Sequence, residues 1–461
     1  KIFEPITKEV LMLLEKESQD TIENIVTHLF YIANSGRPGP VVLDLPMDVQ
    51  LSDVTIQSKK QLTCKDVSKH HLEGCIRKKV LKTIELLKKA RRPIILAGNG
   101  IYISNTVEKF RDFVNKTKLP VVSSMPAVGV LDRKSDLYFG FLGHTGEFYS
   151  NLAVYYSDFI LVLGSRLDIR QTGTELEHWY KKKVVRVEID ENELVGSRIK
   201  SDITFEEGLD VFFDAFLKNL DETKVVSLRN EWLSFLNKMK SKYSSEQFYT
   251  DREKLYMVDV IKAVDRYLGD KRVVVTSGVG GHQQMVARYF GFNYPDRIWL
   301  TSAGHGTMGF DVPTAIGAVI SSSEYDIGVV FVGDGSFQMN IQELATIVNY
   351  NLPIKIFVLD DKRLGIVSQF QLMNWKRDPA TGNKWNPSFS SIAKSYGLAG
   401  FDIYDKKDLN IIKDVLASKD PVVVHCHINS KEDVLPMLLS GQKMNEMFPF
   451  GRVEEEDVLG S

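Results

Sequence analysis

At 461 residues, 43% of them hydrophobic and with a net charge of −2, the chain is too long for one core and too balanced in charge to suggest nucleic acid or an anionic membrane surface. Its three cysteines, Cys64, Cys75 and Cys426, are odd in number and lack paired spacing, which suits a reduced, cytoplasmic protein. No apolar run reaches the length of a bilayer span and no signal-peptide pattern opens the chain, so no membrane partner is expected.

Taken in chain order, Gln19 to Asn34 predicts an amphipathic helix and Val41 to Leu45 a strand. One helix and one strand cannot form a sheet domain alone, so residues 1–55 read as the closing part of a domain that begins upstream. Residues 51–75 are polar, with Lys59, Lys60, Lys65, Lys69 and His70-His71, and read as a linker. A helix from Arg77 to Lys89 leads into a strand at Pro93–Ala97 and a glycine turn. A helix around Val107–Val114 follows, then strands at Pro120–Val122, Phe159–Leu163 and Val184–Glu188. Alternating strand and helix predicts an α/β domain, 76–222, with a parallel sheet covered on both faces. The charged segment Glu231–Lys242 reads as a helical link to a third domain, 250–430. Its strands are expected at Arg272–Val275, Ile327–Val332, Ile354–Leu359 and Val422–Val424. Residues 431–461 read as a tail with an acidic, frayed end.

The third domain carries the most informative motif. Gly333-Asp334-Gly335-Ser336 closes one β-branched apolar run, and Asp360-Asp361 closes the next, with a crossover helix expected over Asn340–Tyr350. Two carboxylates would then stand at the carboxyl ends of two nearby parallel strands, where open α/β sheets bind ligands. Hard oxygen donors there suit Mg²⁺ together with a phosphate-bearing ligand.

Gly-Asp-Gly, a 24-residue spacer and an acidic or amide pair resembles the binding motif of thiamine-diphosphate enzymes, with Asp360-Asp361 in the place of Asn-Asn. Further stretches resemble the acetolactate synthase branch of that family. They are Arg37-Pro38-Gly39-Pro40-Val41 with Leu45-Pro46, Ser277 to Gln283, Gly306-Thr307-Met308-Gly309-Phe310, Leu364-Gly365-Ile366-Val367 and Pro436-Met437. The resemblance implies three-layer parallel-sheet domains, residues 1–55 being the end of a pyrimidine-binding domain with about 100–150 residues upstream. It implies Mg²⁺ held by Asp334, Asp361 and the main-chain carbonyl of Arg363. It implies thiamine-diphosphate contacts from Gly280, Gly281, His282, Gly306, Met308, Gly335, Ser336, Gly365 and Ile366. Met308 would lie under the bent cofactor, and Gly281-His282 stands where the family has Gln-His. Asp360 is expected to cap the following turn.

In the middle domain the same resemblance implies a flavin site, filled by FAD in some relatives and empty in others. Its residues would be Gly98, Gly143, His144, Gly164, Arg166, Asp168, Arg170, Glu188 and Asp202. Arg170 would also face the substrate, as would Phe370, which occupies the place of a family Trp. The family's catalytic Glu belongs to the pyrimidine-binding domain, so no acid or base is assigned within these residues.

The implied activity is decarboxylation of pyruvate and ligation to a second 2-keto acid by a homodimer or homotetramer. Two alternatives stay open. Acetyl transfer to a keto-sugar nucleotide draws on Asp311, placed where many acetolactate synthases have Gly, and on Phe370. A non-catalytic paralogue or regulatory subunit draws on the missing N-terminal domain, and the intact metal motif opposes it. Asp311 is read as a helix N-cap, and His425-Cys426-His427 as a packed strand rather than a metal site.

Overall fold

The computed structural model describes residues 2–13, 19–53, 73–220, 230–383, 385–429 and 432–459. Most of the expected linker, with Cys64 and His70-His71, lies outside them. Near the start, strand β1 (Glu9–Met12) pairs in parallel with β2 (Val41–Asp44) through the helix Gln19–Asn34. The helix and β2 match expectation; β1, four residues long, was not foreseen. Arg37 fastens this unit to the middle domain, donating from Nη1 to Asp190 Oδ2 at 2.9 Å and Glu193 Oε1 at 2.7 Å.

The middle sheet comprises β3 (Pro93–Ala97), β4 (Val121–Ser123), β5 (Tyr138–Phe141), β6 (Phe159–Leu163), β7 (Lys183–Glu188) and β8 (Ile203–Glu206). All are parallel, in the order β5-β4-β3-β6-β7-β8. Every residue of β3 and β6 is buried, as a central strand covered on both faces requires. Between β3 and β6 the chain reverses its direction across the sheet, opening a crevice at their carboxyl ends. One face is covered by the helices Glu73–Lys89, Val107–Thr117 and Leu209–Lys218. Their Phe110, Phe113, Phe212, Phe213 and Phe216 are wholly buried against one another. Each such ring contributes roughly 1.5–3 kcal/mol on burial.

The other face corrects two expectations. The helix Asn230–Lys242 is no bare link: Trp232, Phe235, Leu236 and Met239 pack on this sheet, and Trp232 Nε1 donates to Pro93 O at 3.0 Å. Nor is the acidic end frayed over its described residues. Val453 and Val458 are buried in the same cluster, and both terminal nitrogens of Arg92 bind Glu455. Charge in these segments marks only their outer faces.

The C-terminal sheet comprises β9 (Val273–Ser277), β10 (Arg297–Thr301), β11 (Ile327–Gly333), β12 (Ile354–Asp360), β13 (Ala399–Ile403) and β14 (Val422–His427). It too is fully parallel, in the order β10-β9-β11-β12-β14-β13, and reverses between β9 and β11. The expected crossover helix is broken. A helix Asp334–Met339 starts directly from β11, and a single tight turn at Ile341–Glu343 precedes the helix Leu344–Asn349.

Arg288 joins the domains. It is 1% exposed, at the end of the helix Gly281–Tyr289, and donates to carbonyls of Thr145, Gly146, Leu435 and Pro436. No helix among the described residues is long and apolar enough to cross a membrane.

Candidate active site

The reversal between β9 and β11 brings together the turn after β9, the start of the helix after β11 and the turn after β12. Asp334 and Asp361 are both brought there, 2% and 4% exposed. Asp334 Oδ2 accepts from Asn386 Nδ2 at 2.7 Å and Asn383 Nδ2 at 3.1 Å. Burial raises its pKa above the ordinary carboxylate value; the Asn386 hydrogen bond opposes this, and the charge of Asp360 adds to it. Burial, then the charge of Asp334, pushes Asp361 up to about 6. Two buried carboxylates, the second raised by the charge of the first, form a donor set that fits a divalent cation.

Arg363 is a departure. From sequence its side chain should diverge from Asp361 along the turn. Instead Nε donates to Asp361 Oδ2 at 3.2 Å, while Nη2 reaches Asp433 Oδ1 at 3.0 Å and Glu432 O at 2.6 Å. The guanidinium offsets the extra charge that Asp brings where the family has Asn. Gly365 makes this possible: a Cβ there would stand 2.7 Å from Asp361 Oδ2.

Asp360 does cap the turn, accepting from Lys362 N at 3.0 Å, but it also accepts from Asn386 Nδ2 and His425 Nε2, each at 2.8 Å. Burial works to raise its pKa; the bonds from His425 and Asn386 outweigh that and hold it below the ordinary value. One amide of Asn386 therefore serves Asp334 and Asp360 together.

Asp311 is not the N-cap expected. It is the first residue of the helix Asp311–Ser321, 1% exposed, and its carboxylate faces back into the crevice. It accepts from Gly278 N and from Ser336 Oγ, the latter at 2.5 Å, and Ser336 Oγ in turn accepts from Gly309 N at 2.8 Å. Asp311 thus ties three loops of the cradle together. His282, 3% exposed, lies against Gly333 with Nε2 3.5 Å from Asp311 Oδ1; that is too long for a good hydrogen bond, and Nε2 has no partner. Met308 Cε lies over Gly335, 3.4 Å from where a Cβ there would be. Gly280 and Gly281 form the turn after β9, and Gly306 turns in open space with φ +72°. Ile366, partly buried, packs against the sheet's hydrophobic core, and Phe370 is 52% exposed, edge-on to Trp375.

In the middle domain a cavity of about 590 Å³ opens at the β3–β6 reversal, within the ~300–1,000 Å³ usual for small-molecule sites. His144, Gly164, Arg166, Asp168, Arg170 and Glu188 line it, with Arg37 from the N-terminal unit and Gln284 and Gly304 from the C-terminal domain. Asp168 Oδ1 accepts from Arg170 N at 2.7 Å, setting the turn that presents Arg170. Gly98 supports the floor: a Cβ there would stand 2.1 Å from Gly164 O. Gly143 stands behind His144, held by Asn151 through its N and O.

Asp202 does not flank the cavity. It pairs with Lys183 Nζ at 2.7 Å and accepts from Val184 N at 3.0 Å, at the amino end of β7. Its place near Glu188 in sequence hides the length of a strand between them. Sequence reasoning missed Asn383 and Asn386, whose only signal was a short polar stretch before Pro387, and missed the pairing of Arg363.

Comparison with known proteins agrees with this geometry. Residues 80–210 match the family described as the thiamine pyrophosphate enzyme central domain, and residues 278–426 match the thiamine pyrophosphate enzyme C-terminal TPP binding domain. The acetolactate synthase large subunit of Lactococcus lactis subsp. lactis is 32% identical over 456 residues, covering 99% of this chain and 77% of its own. The isozyme 2 large subunit of Escherichia coli is 30% identical, covering 94% and 76%. The chloroplastic acetolactate synthase of Arabidopsis thaliana is 31% identical, covering 97% and 67%. The chain belongs to the acetolactate synthase large-subunit family of thiamine-diphosphate enzymes.

Proposed function

We propose that the C-terminal crevice holds one Mg²⁺ on Asp334, Asp361 and the main-chain carbonyl of Arg363, and through it the diphosphate of thiamine diphosphate. The activity is thiamine-diphosphate-dependent decarboxylation of pyruvate and ligation of the two-carbon unit to a second 2-keto acid. The observation that carries it is the buried carboxylate pair at the sheet reversal, in a chain aligned with acetolactate synthases over nearly its whole length. The cofactor, when bound, supplies the electron sink that decarboxylation needs. The protein's own residues bind and orient: Gly280, Gly281 and Gly335 admit close backbone approach, Asp311 fixes the loops, and Met308 lies over Gly335. Acetolactate formed from pyruvate by the full-length protein, dependent on added thiamine diphosphate and Mg²⁺, is the expected result. No product under those conditions overturns the reading.

The middle cavity is assigned to FAD, its arginines meeting the diphosphate of the flavin nucleotide. The ligation has no redox step, so flavin there is structural. FAD fluorescence that quenches at one equivalent supports this; unchanged fluorescence at saturation removes it. Phe370, Trp375 and Trp385, exposed at 52%, 60% and 76%, support a homodimer or homotetramer. Sedimentation showing only monomer while pyruvate is turned over defeats that assignment.

A further inference from the structure

Three neighbouring strands place His and Asp side chains on one face. Strand side chains alternate, so His425 and His427 share a side of β14 while Cys426 points into the core behind. In register, Asp402 of β13 pairs with His425, and Asp360 of β12 with His427. The face therefore carries two imidazoles and two carboxylates, and Cys426 takes no part.

The ring and carboxylate contacts are specific. His425 Nε2 is 2.8 Å from Asp360 Oδ2, and His427 Nε2 is 3.0 Å from Asp402 Oδ1. The two rings lie 4.0 Å apart. Each carboxylate has its other oxygen held elsewhere: Asp360 Oδ1 by Asn386 and Lys362 N, Asp402 Oδ2 by Ser390 Oγ at 2.5 Å. Tyr404 stacks flat on His427 at 4.2 Å, and Phe389 meets His425 edge-on at 4.9 Å. Anchored carboxylates and packed rings of this kind are how metal ligands are held in orientation. His425 is 3% exposed, yet its Nδ1 has no hydrogen-bond partner, with Asp402 Oδ1 only 3.5 Å away.

We propose that Asp360, His425 and His427, with Asp402 beside them, bind a first-row divalent transition metal, Zn²⁺ in the first instance, at a site that adjoins the diphosphate crevice through Asp360 and Asn386. Three ligand atoms, one each from Asp360, His425 and His427, lie within 4.8 Å of one another. A tetrahedral Zn²⁺ with bonds of about 2.0–2.1 Å asks the widest pair to close by roughly 1.5 Å, which the partly exposed His427 can supply. With Asp402 holding His427 Nε2, its Nδ1 is the nitrogen left for the metal. Two carboxylates and two neutral imidazoles carry a charge of about −2, matched by the ion. Mixed nitrogen and oxygen donors favour such a metal over Mg²⁺. The ion would clamp β12, β13 and β14 at their carboxyl ends.

The test uses the whole protein, saturated with Mg²⁺ and thiamine diphosphate so that the crevice is filled. Co²⁺ titrated into it should bind at one equivalent with visible absorption of a nitrogen- and oxygen-ligated ion, and Zn²⁺ should displace it. His427→Gln should weaken Co²⁺ binding by ~100-fold or more, and Asp402→Asn by ~10–100-fold, as loss of a supporting partner does. Circular dichroism and thiamine-diphosphate affinity should stay as in the parent for His427→Gln. Absence of a one-equivalent Co²⁺ spectrum overturns the proposal, as does His427→Gln binding Co²⁺ as tightly as the parent. Either result leaves the cluster as two His–Asp hydrogen bonds and leaves the crevice assignment untouched.

Discussion

The two six-stranded sheets share strand direction, helices on both faces and a crevice where the chain reverses, yet their carboxyl edges are furnished differently. The middle edge presents Arg166, Arg170 and glycine turns around an open cavity; the C-terminal edge presents Asp334, Asp360 and Asp361, nearly closed from solvent. Burial then acts in opposite directions. In the C-terminal domain it drives carboxylic acids upward, Asp361 to about 6. In the middle domain it drives a base downward: burial, then the charge of Arg170, takes His144 on the cavity wall to about 4. Architecture positions a site, and the residues at strand ends decide its sign.

Three changes probe that contrast. The largest effect is expected from Asp334→Ala, which leaves Asp361 facing a diphosphate with one ligand fewer. Thiamine-diphosphate affinity, titrated with Mg²⁺, should fall by ~100-fold or more, while FAD uptake at the middle cavity holds. Binding like that of the parent would mean the acidic edge is not the metal site.

Next, His178 tests the middle domain. It is 5% exposed and neither ring nitrogen has a partner. Its folded pKa lies below the unfolded value of ~6.5, so the unfolded chain binds the extra proton and stability is lost as pH falls from about 6.5 toward about 3. The contribution is up to ~1.4 kcal/mol per pH unit. His178→Phe should flatten denaturant-measured stability against pH over that window. An unaltered slope removes His178 as its source.

The smallest effect is expected from Asp361→Asn. It restores the family's usual residue, and Arg363 keeps Asp433 and the Glu432 carbonyl as partners. Cofactor affinity should stay within about tenfold, or ~1.4 kcal/mol. Abolished binding would show that Arg363 needs the Asp361 charge to hold the turn.

The sequence made the centres of both sheets legible and their edges obscure. β3, β6 and β11 are apolar runs, and β12 is one interrupted only by Lys355 before its closing Asp360; all are buried from both sides and stand where expected. The outer strands β5, β8, β10 and β13 were missed. Tyr138-Phe139-Gly140-Phe141 and Ala399-Gly400-Phe401-Asp402-Ile403 carry glycine, and with one neighbour each they need no continuous apolar pattern. The site divides likewise. Asp334 and Asp361 were readable because strand ends carry them together. Asn386, Asp311 and the face shared by His425 and Asp402 depend on register between segments far apart in sequence, which no local spacing encodes. Asp202 failed for the same reason in reverse.

The helix Gly281–Tyr289 begins at the turn after β9, at the crevice, and carries Arg288 at its other end, which grips Thr145 and Gly146 next to His144 on the cavity wall. Nine helical residues make a rod of roughly 13 Å. A displacement at one end of that rod is a displacement at the other, so the C-terminal crevice and the middle cavity share a lever. If flavin fills the cavity as proposed, whatever factor it adds to the affinity for thiamine diphosphate, thiamine diphosphate returns to the affinity for flavin.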